Sequence, residues 1–129
     1  MDFSALFSKS NLPYILFEDY YLLVVYKPTG FTVEKHSSYP SLEDFATIHL
    51  REAFPENKKY FIGIVHRLDV HVSGIVVMAK TRAALKNLNE QFAQKSVRKI
   101  YIAQCEKCPS PRKGTIDGWI TEDKISRKA

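Results

Sequence analysis

The chain has 129 residues, a length that suits one domain with a real hydrophobic core and leaves no room for a second module. Its longest apolar run is far shorter than a membrane span, and its N-terminus lacks the basic start and long apolar core of a secretion signal, so we expect a cytoplasmic protein. The formal net charge is +5, and the two cysteines do not suggest the disulfide framework of a small secreted domain.

The positive charge lies in the second half of the chain. Residues 1–64 carry 6 Lys and Arg against 8 Asp and Glu, whereas residues 65–129 carry 13 against 6, so the halves have net charges of −2 and +7. This distribution favours a polyanionic partner, because phosphate contacts act at long range and release counterions. An ordinary solvated basic surface is the commoner explanation of such charge taken alone.

The first elements in chain order form a predicted hairpin and a tight turn. Residues 14–17 and 22–26 are short apolar runs separated by a polar turn, which is typical of two paired strands. The next four residues, Lys27-Pro28-Thr29-Gly30, suit a type I or II turn, because Pro28 fixes its own φ and Gly30 can take a positive φ. A short extended segment and a polar loop at residues 36–40 follow.

Two helices are predicted from their N-caps and their apolar spacing. Ser41 followed by Asp44 three residues later indicates a capping box, and Pro55 ends that helix. Thr81 is the expected N-cap of the second helix. The apolar residues of the second helix recur at three- and four-residue spacing, at Ala84, Leu85, Leu88 and Phe92.

A polar insert lies between two apolar runs in the middle of the chain. Residues 60–65 and 75–79 predict two buried strands, and His66-Arg67-Leu68-Asp69 begins the segment between them. This places ionisable groups at the rim of a sheet, where a cleft can desolvate a carboxylate and leave one side open to a ligand. Further strands are predicted at residues 97–105, from their alternation, and at residues 115–120.

Four motifs in this order resemble one known family. They are the opening hairpin with Lys27-Pro28-Thr29-Gly30, the run from Ile64 to Asp69 with Ser73-Gly74, then Ala79-Lys80-Thr81 with a helix ending Gln91-Phe92, and finally Lys99-Ile100-Tyr101-Ile102-Ala103. Together they resemble the RluA-type family of RNA pseudouridine synthases, over residues 14–120. The resemblance implies an α+β fold with a mixed, mostly antiparallel β-sheet flanked by helices, here an incomplete form of the pseudouridine synthase catalytic fold. We expect residues 1–129 to be a single, truncated catalytic domain.

The resemblance also implies residue roles in the isomerisation of specific uridines in structured RNA, either rRNA or tRNA. Asp69 would be the catalytic carboxylate. Tyr101, the second catalytic residue, would stack on the uracil and assist proton transfer. Arg67 would fill the RNA stack where the target nucleotide flips out. The expected RNA contacts are Arg67, His66, Lys27, Arg98 and Lys99, and neither a metal nor an organic cofactor is implied.

Each assignment has a simpler alternative. Asp69 could be an ordinary turn residue, Tyr101 a half-buried strand tyrosine, and Arg67 a surface partner of Asp69. His66 is expected to orient the loop rather than to titrate, and Lys27 could be a solvated turn lysine. Another class of function is a zinc site formed by Cys105, Cys108, His66 and His71, for which the spacing is a weak signal.

Two departures from the family pattern leave a non-catalytic RNA-binding protein, or an inactive synthase fragment, as the alternative function. Val70-His71-Val72 stands where the family is usually polar, and the basic partner of the catalytic Asp expected further along is not found before Ala129. A sheet cut midway would leave an edge and an apolar face uncovered. We therefore expect a homodimer or an association with a missing C-terminal part, and low activity of the isolated chain.

Overall fold

The computed structural model describes residues 11–108, 110–115, 117–119 and 121. The chain divides into two compact units, Met1–Arg98 and Lys99–Ala129. The helices and strands of the described residues all lie in the first unit. The expectation of a single catalytic domain stays a prediction.

One antiparallel sheet forms the centre of the first unit. Its order is β1-β2-β4-β3, and each neighbouring pair of these four described strands is antiparallel. The strands are β1 (Tyr14–Glu18), β2 (Leu22–Lys27), β3 (Gly63–Ile64) and β4 (Gly74–Ala79). The predicted opening hairpin and the strand at residues 75–79 are confirmed, whereas the strand expected at residues 60–65 shortens to two residues. With its two helices, the sheet confirms the α+β class.

Both predicted helices are present, and each begins where its cap places it. In α1 (Leu42–Ala53), the Ser41 hydroxyl accepts a hydrogen bond from the Asp44 backbone N–H at 3.1 Å, and the last helical residue comes just before Phe54 and Pro55. In α2 (Arg82–Ala93), Thr81 accepts from the Ala84 N–H at 3.1 Å. Within the described part of the chain, no helix combines the length and apolar character needed to cross a membrane.

The core lies between α1 and one face of the sheet. The register pairs Leu23 with Met78 and Val25 with Val76, so these four side chains point to the same side, where they are fully buried. The helix contributes its own buried face, Leu42, Ala46 and Leu50. Burial of each large side chain of this kind contributes roughly 1.5–3 kcal/mol relative to exposure. This packing fixes β2 and β4, the two strands from whose ends the polar loops extend.

The second helix packs over the short strand β3 at a glycine. A Cβ built on Gly63 would lie 2.9 Å from Leu85 Cδ1, closer than real carbon contacts permit. The absence of a side chain at Gly63 therefore lets α2 approach the sheet. This approach brings the C-terminal turn of α2, with Phe92, next to the polar insert.

The predicted strand at residues 97–105 is wrong. None of these residues is in a strand, and the three consecutive side chains of Ile100, Tyr101 and Ile102 are 75%, 62% and 78% exposed. Alternation alone does not make a strand, because its N–H and C=O groups need a partner backbone. The strand predicted at residues 115–120 falls partly outside the described residues, and its described residues, Thr115, Asp117, Gly118 and Trp119, form no strand.

Candidate active site

The side chains of the polar insert alternate between two sides in their burial. His66, Leu68 and Val70 are partly buried, whereas Arg67 and Asp69 between them are exposed. An extended backbone points successive side chains in opposite directions, so this alternation is the expected one. Leu68 packs against the hydrophobic core. The inward residues thus anchor the insert while Arg67 and Asp69 are presented together.

His66 takes the place of a strand partner where β3 ends. Ile64 pairs with Met78, and the next N–H along β4, that of Val77, donates to His66 Nε2 at 3.0 Å. Because Nε2 accepts from a backbone N–H, this ring nitrogen carries no proton. The ring also stacks on Phe92, with centroids 5.0 Å apart and planes 19° apart. His66 therefore holds the insert against both β4 and α2.

The Lys27–Gly30 turn holds the insert from the other side. Gly30 has a φ of +86°, and its N–H donates to the Val70 carbonyl at 2.7 Å, which confirms the positive φ expected at this glycine. The Lys27 ammonium donates to three backbone carbonyls, those of Phe31 at 2.7 Å, Pro28 at 3.1 Å and Val70 at 3.5 Å. The carbonyl directly after Asp69 is therefore held by two donors from the turn.

Lys27 is inside the fold, contrary to the surface position that an RNA phosphate contact requires. Its residue exposure is 0%. Burial lowers the pKa of the ammonium below its usual 10.5, and the negative charge of Asp69 opposes that shift. The structure therefore makes Lys27 an internal cation whose field reaches Asp69.

Asp69 itself is exposed and begins a turn. Its backbone carbonyl accepts a hydrogen bond from the Val72 N–H at 3.0 Å, so residues 69–72 reverse the chain toward β4. The desolvated carboxylate expected from the sequence is not what the structure shows, because the side chain lies at the mouth of an open cleft. Water is excluded from this carboxylate only when something occupies the cleft.

The insert shares a cavity of about 340 Å³ with the loop that precedes α1. Its lining residues are Thr32, Val33, Glu34, Lys35, His36, Tyr39, Arg67, Leu68, Asp69 and Val70. Arg67 pairs across this cavity with Glu34 at 3.0 Å, so its carboxylate partner is Glu34 where the sequence alternative proposed Asp69. The two charged groups are 71% and 52% exposed, and such an ion pair contributes at most about 1 kcal/mol.

Glu34, His36 and Tyr39 are cavity residues that the sequence did not indicate. The polar loop at residues 36–40 was recognisable in the sequence, but the backbone bond that closes it was not. The Thr32 N–H donates to the Pro40 carbonyl at 3.0 Å, which closes the loop at its base. The sequence pattern of residues 32–40 does not by itself indicate this closure.

Of the remaining predicted site residues, one ends the first unit and two belong to the second. Arg98 is exposed at the end of the first unit, and Lys99 is exposed at the start of the second. Tyr101, in the second unit, is 62% exposed. The first unit therefore brings together Lys27, His66, Arg67 and Asp69.

The zinc alternative finds no support in the described residues. The side chains of Cys105 and Cys108 are both exposed. Nowhere in the described ranges do three or more His, Cys, Asp or Glu side chains form a group that could hold a metal ion.

Comparison with known proteins agrees with this α+β fold and with the motif order. A model of the RNA pseudouridylate synthase family matches residues 21–129. The chain therefore belongs to the RNA pseudouridylate synthase family. It is 46% identical over 90 residues to ribosomal large subunit pseudouridine synthase C of Yersinia pestis, which covers 69% of this chain and 26% of that protein. It is 32% identical over 108 residues to the dual-specificity RNA pseudouridine synthase RluA of Escherichia coli, covering 80% of this chain and 44% of the relative.

A solved structure shows the same fold. The chain is similar to human RNA pseudouridylate synthase domain containing 4, with a TM-score of 0.53 and 26% sequence identity over 64% of this chain and 30% of that chain. The chain spans about a quarter to under a half of the length of these curated relatives. The family-model match at residues 21–129 includes β2, β3, β4 and the insert, and the chain aligns with only part of each of these relatives.

Proposed function

We propose that this chain supplies the catalytic cleft of an enzyme that isomerises uridine to pseudouridine in structured RNA, with Asp69 as the catalytic carboxylate. The observation that carries this proposal is the clamped insert. Three anchors, His66, Leu68 and Val70, hold the backbone so that Arg67 and Asp69 face one cavity. Rigid support of an exposed carboxylate is what positioning catalysis requires.

The reaction mainly requires the protein to place charged groups in the correct position at the nucleotide. The bond from uracil N1 to ribose C1′ breaks, the ring rotates, and C5 bonds to C1′ while the C5 proton leaves and N1 gains a proton. No atom is added or lost overall. Asp69 would attack the target nucleotide or stabilise it while the glycosidic bond is broken. An everted nucleotide filling the cleft would also exclude water from this carboxylate and strengthen its field.

The other predicted residues divide into two groups. Arg67 would leave Glu34, a weak surface partner, to occupy the gap in the RNA stack. Arg98 and Lys99 would contact phosphates, and Tyr101 would stack on the uracil as the family resemblance implies. Lys27 and His66 would instead be positioning residues, because their polar atoms are engaged with the backbone.

The RNA substrate is proposed as rRNA or tRNA. One relative is named a ribosomal large subunit pseudouridine synthase and another a dual-specificity RNA pseudouridine synthase. The net charge of +7 in residues 65–129 supports an RNA partner. A protein that modifies rRNA or tRNA would act in the cytoplasm.

The test is tritium release from RNA that carries 5-³H-uridine, because the C5 hydrogen leaves during isomerisation. We expect release by the wild type, even if slow, and none above background by Asp69→Asn. Glu52→Gln, which changes an exposed carboxylate on α1, is the matched control and should behave as the wild type. Gel-shift binding of the same RNA and thermal unfolding are measured for all three proteins.

The outcomes separate the two functions. RNA binding without tritium release in any of the three proteins would favour the non-catalytic RNA-binding alternative. Release by Asp69→Asn at the wild-type rate would remove Asp69 from the reaction. Absence of RNA binding by the wild type would contradict both functions.

We also propose that the open face of the sheet, meaning the part of the side away from α1 that α2 leaves exposed, associates with further protein, either a second copy or a C-terminal part of the catalytic domain. The register places Phe17, Val24, Val77 and Ile75 on the side away from α1. Phe17 is 52% and Ile75 47% exposed. Apolar side chains on a sheet face are normally covered.

A further inference from the structure

The cavity that Asp69 faces carries an aromatic pair on its other loop. The rings of His36 and Tyr39 lie 5.3 Å apart at their centroids, with 50° between their planes. Both residues line the cavity together with Arg67 and Asp69. Tyr39 is 43% exposed, so a large part of it is open to a ligand. Exposure of an aromatic ring to water is unfavourable, so the Tyr39 ring beside Arg67 and Asp69 is available for stacking.

The loop that carries the pair is held in place by the N-terminal end of α1. The Leu42 N–H donates to the Thr32 carbonyl at 2.9 Å, and the Glu43 N–H donates to the Val33 carbonyl at 3.0 Å. The Glu43 side chain in turn accepts from the Lys35 N–H at 3.0 Å. These bonds tie the start of the loop to α1, and the end of the loop leads directly into the same helix, so the ring positions are set before any ligand binds.

Hydrogen bonding also sets the orientation of the imidazole. His36 Nδ1 accepts from the Ser38 backbone N–H at 3.1 Å, which leaves the proton of the neutral ring on Nε2. The imidazole therefore packs against Tyr39 from a fixed position. The phenol ring is supported by this contact and presents the rest of its surface to the cavity.

We propose that the His36–Tyr39 pair is a stacking subsite for a nucleobase adjacent to the uridine at Asp69. This inference rests on the proposed function and adds a specific contact to it. Every nucleobase has a π-face, so an aromatic ring holds a single-stranded base without requiring a particular sequence. Because Tyr39 and Asp69 line one cavity, a base on this ring belongs to a nucleotide next to the target.

The test compares two single-stranded RNA probes of equal length, fluorescein-labelled oligouridylate and the same ribose-phosphate chain without bases. Stacking of one base is worth about 5- to 150-fold in affinity. We expect Tyr39→Ala to weaken oligouridylate binding within that range and to leave binding of the abasic chain unchanged. Tyr39→Phe keeps the ring and should bind as the wild type. Tyr20→Ala is the matched control, because Tyr20 is exposed in a different aromatic pair, with Tyr21, at the turn between β1 and β2.

Direct contact is tested with the same oligomer carrying one 5-iodouridine at successive positions. Irradiation should crosslink the wild type at the peptide that contains Tyr39 and not at the peptide that contains Tyr20. Equal binding of oligouridylate by Tyr39→Ala and the wild type would overturn the subsite, as would loss of binding for both probes together with a lowered unfolding temperature. In either case tritium release and RNA binding by the wild type still decide the proposed function independently.

Discussion

Lys27 helps to hold the backbone next to Asp69, together with the Gly30 N–H, which contacts the same Val70 carbonyl at a shorter distance. Its ammonium contacts the Val70 carbonyl, which follows Asp69, and the carbonyls of Pro28 and Phe31, from a fully buried position. A buried cation is costly unless it is well solvated by such groups. The fold keeps this charge where it can both tether the insert and act on the carboxylate.

Replacing Lys27 with Met should separate catalysis from binding. The change removes the desolvation cost of the cation and also the bonds to three carbonyls, so we expect the free energy of unfolding to change by less than about 2 kcal/mol. Loss of the tether should lower the rate of tritium release by about 10²-fold. RNA affinity should change less than twofold, because the ammonium is not at the surface.

Lys86→Met is the control for this substitution. Lys86 is an exposed lysine on α2, outside the cavity that Asp69 faces. It should leave tritium release unchanged. A weakening of RNA binding by Lys27→Met that matches its loss of activity would show that the buried position does not describe the RNA-bound protein.

At the scale of elements, an ion cluster joins the end of β1 to α1 and to the end of β4. Glu18 accepts from Lys80 at 2.7 Å and contacts His49 Nε2 at 2.6 Å. Lys80 also donates to the Asp19 carbonyl at 2.6 Å and lies 5.2 Å from the centroid of the Phe54 ring. Burial of Glu18 raises its pKa, but the hydrogen bonds and charges of Lys80 and His49 outweigh burial and leave the pKa below 4.5.

This cluster predicts an acid-dependent contribution to stability. Because the folded pKa of Glu18 lies below the unfolded value of 4.5, its contribution is fully present above pH 4.5 and is lost as the pH falls through the folded pKa. Glu18→Gln should lower the free energy of unfolding by about 1–3 kcal/mol at pH 7, since Lys80, whose side chain is only 11% exposed, keeps its charge without a counter-ion. Urea unfolding from pH 7 to pH 2 measures the difference.

The pH dependence is the decisive part of this measurement. The gap between wild type and Glu18→Gln should close as the solution is acidified below pH 4.5. Glu56→Gln, which changes an exposed carboxylate just after α1, should show no gap at any pH. A gap that stays constant down to pH 2 would mean that the charge of Glu18 is not what stabilises the three elements.

At the scale of the whole molecule, the open face of the sheet predicts association. If that face pairs with a second copy, light scattering after size-exclusion chromatography should give a mass near twice that of the chain, falling on dilution. Ile75→Lys places a charge on the face and should shift the protein toward the monomer. Ile48→Lys, at an exposed apolar position on α1, should not.

A monomeric protein would contradict pairing with a second copy. A chain that stays monomeric over a wide concentration range and binds no apolar dye would show that the open face needs no cover. A monomer that binds the dye would instead favour association with a separate C-terminal part.

The sequence by itself determined the features that rest on neighbours within a few residues. The side chains of Ser41 and Thr81 cap helices by accepting a hydrogen bond from the backbone N–H three residues further along the chain. Gly30 takes its positive φ within a four-residue turn. The order of motifs, from the opening turn to Asp69, was likewise sufficient to indicate the family that the comparisons then showed.

Only the tertiary structure decided what each charged side chain faces. Lys27 meets the Val70 carbonyl 43 residues away, Arg67 meets Glu34 33 residues away, and His66 replaces a strand partner for Val77. The same dependence explains the missing strand at residues 97–105, whose alternation is visible in the sequence although a pairing partner is not. The burial of a side chain and the pairing of a strand depend on contacts between segments that are distant in sequence. The local sequence pattern does not show which segments will be in contact.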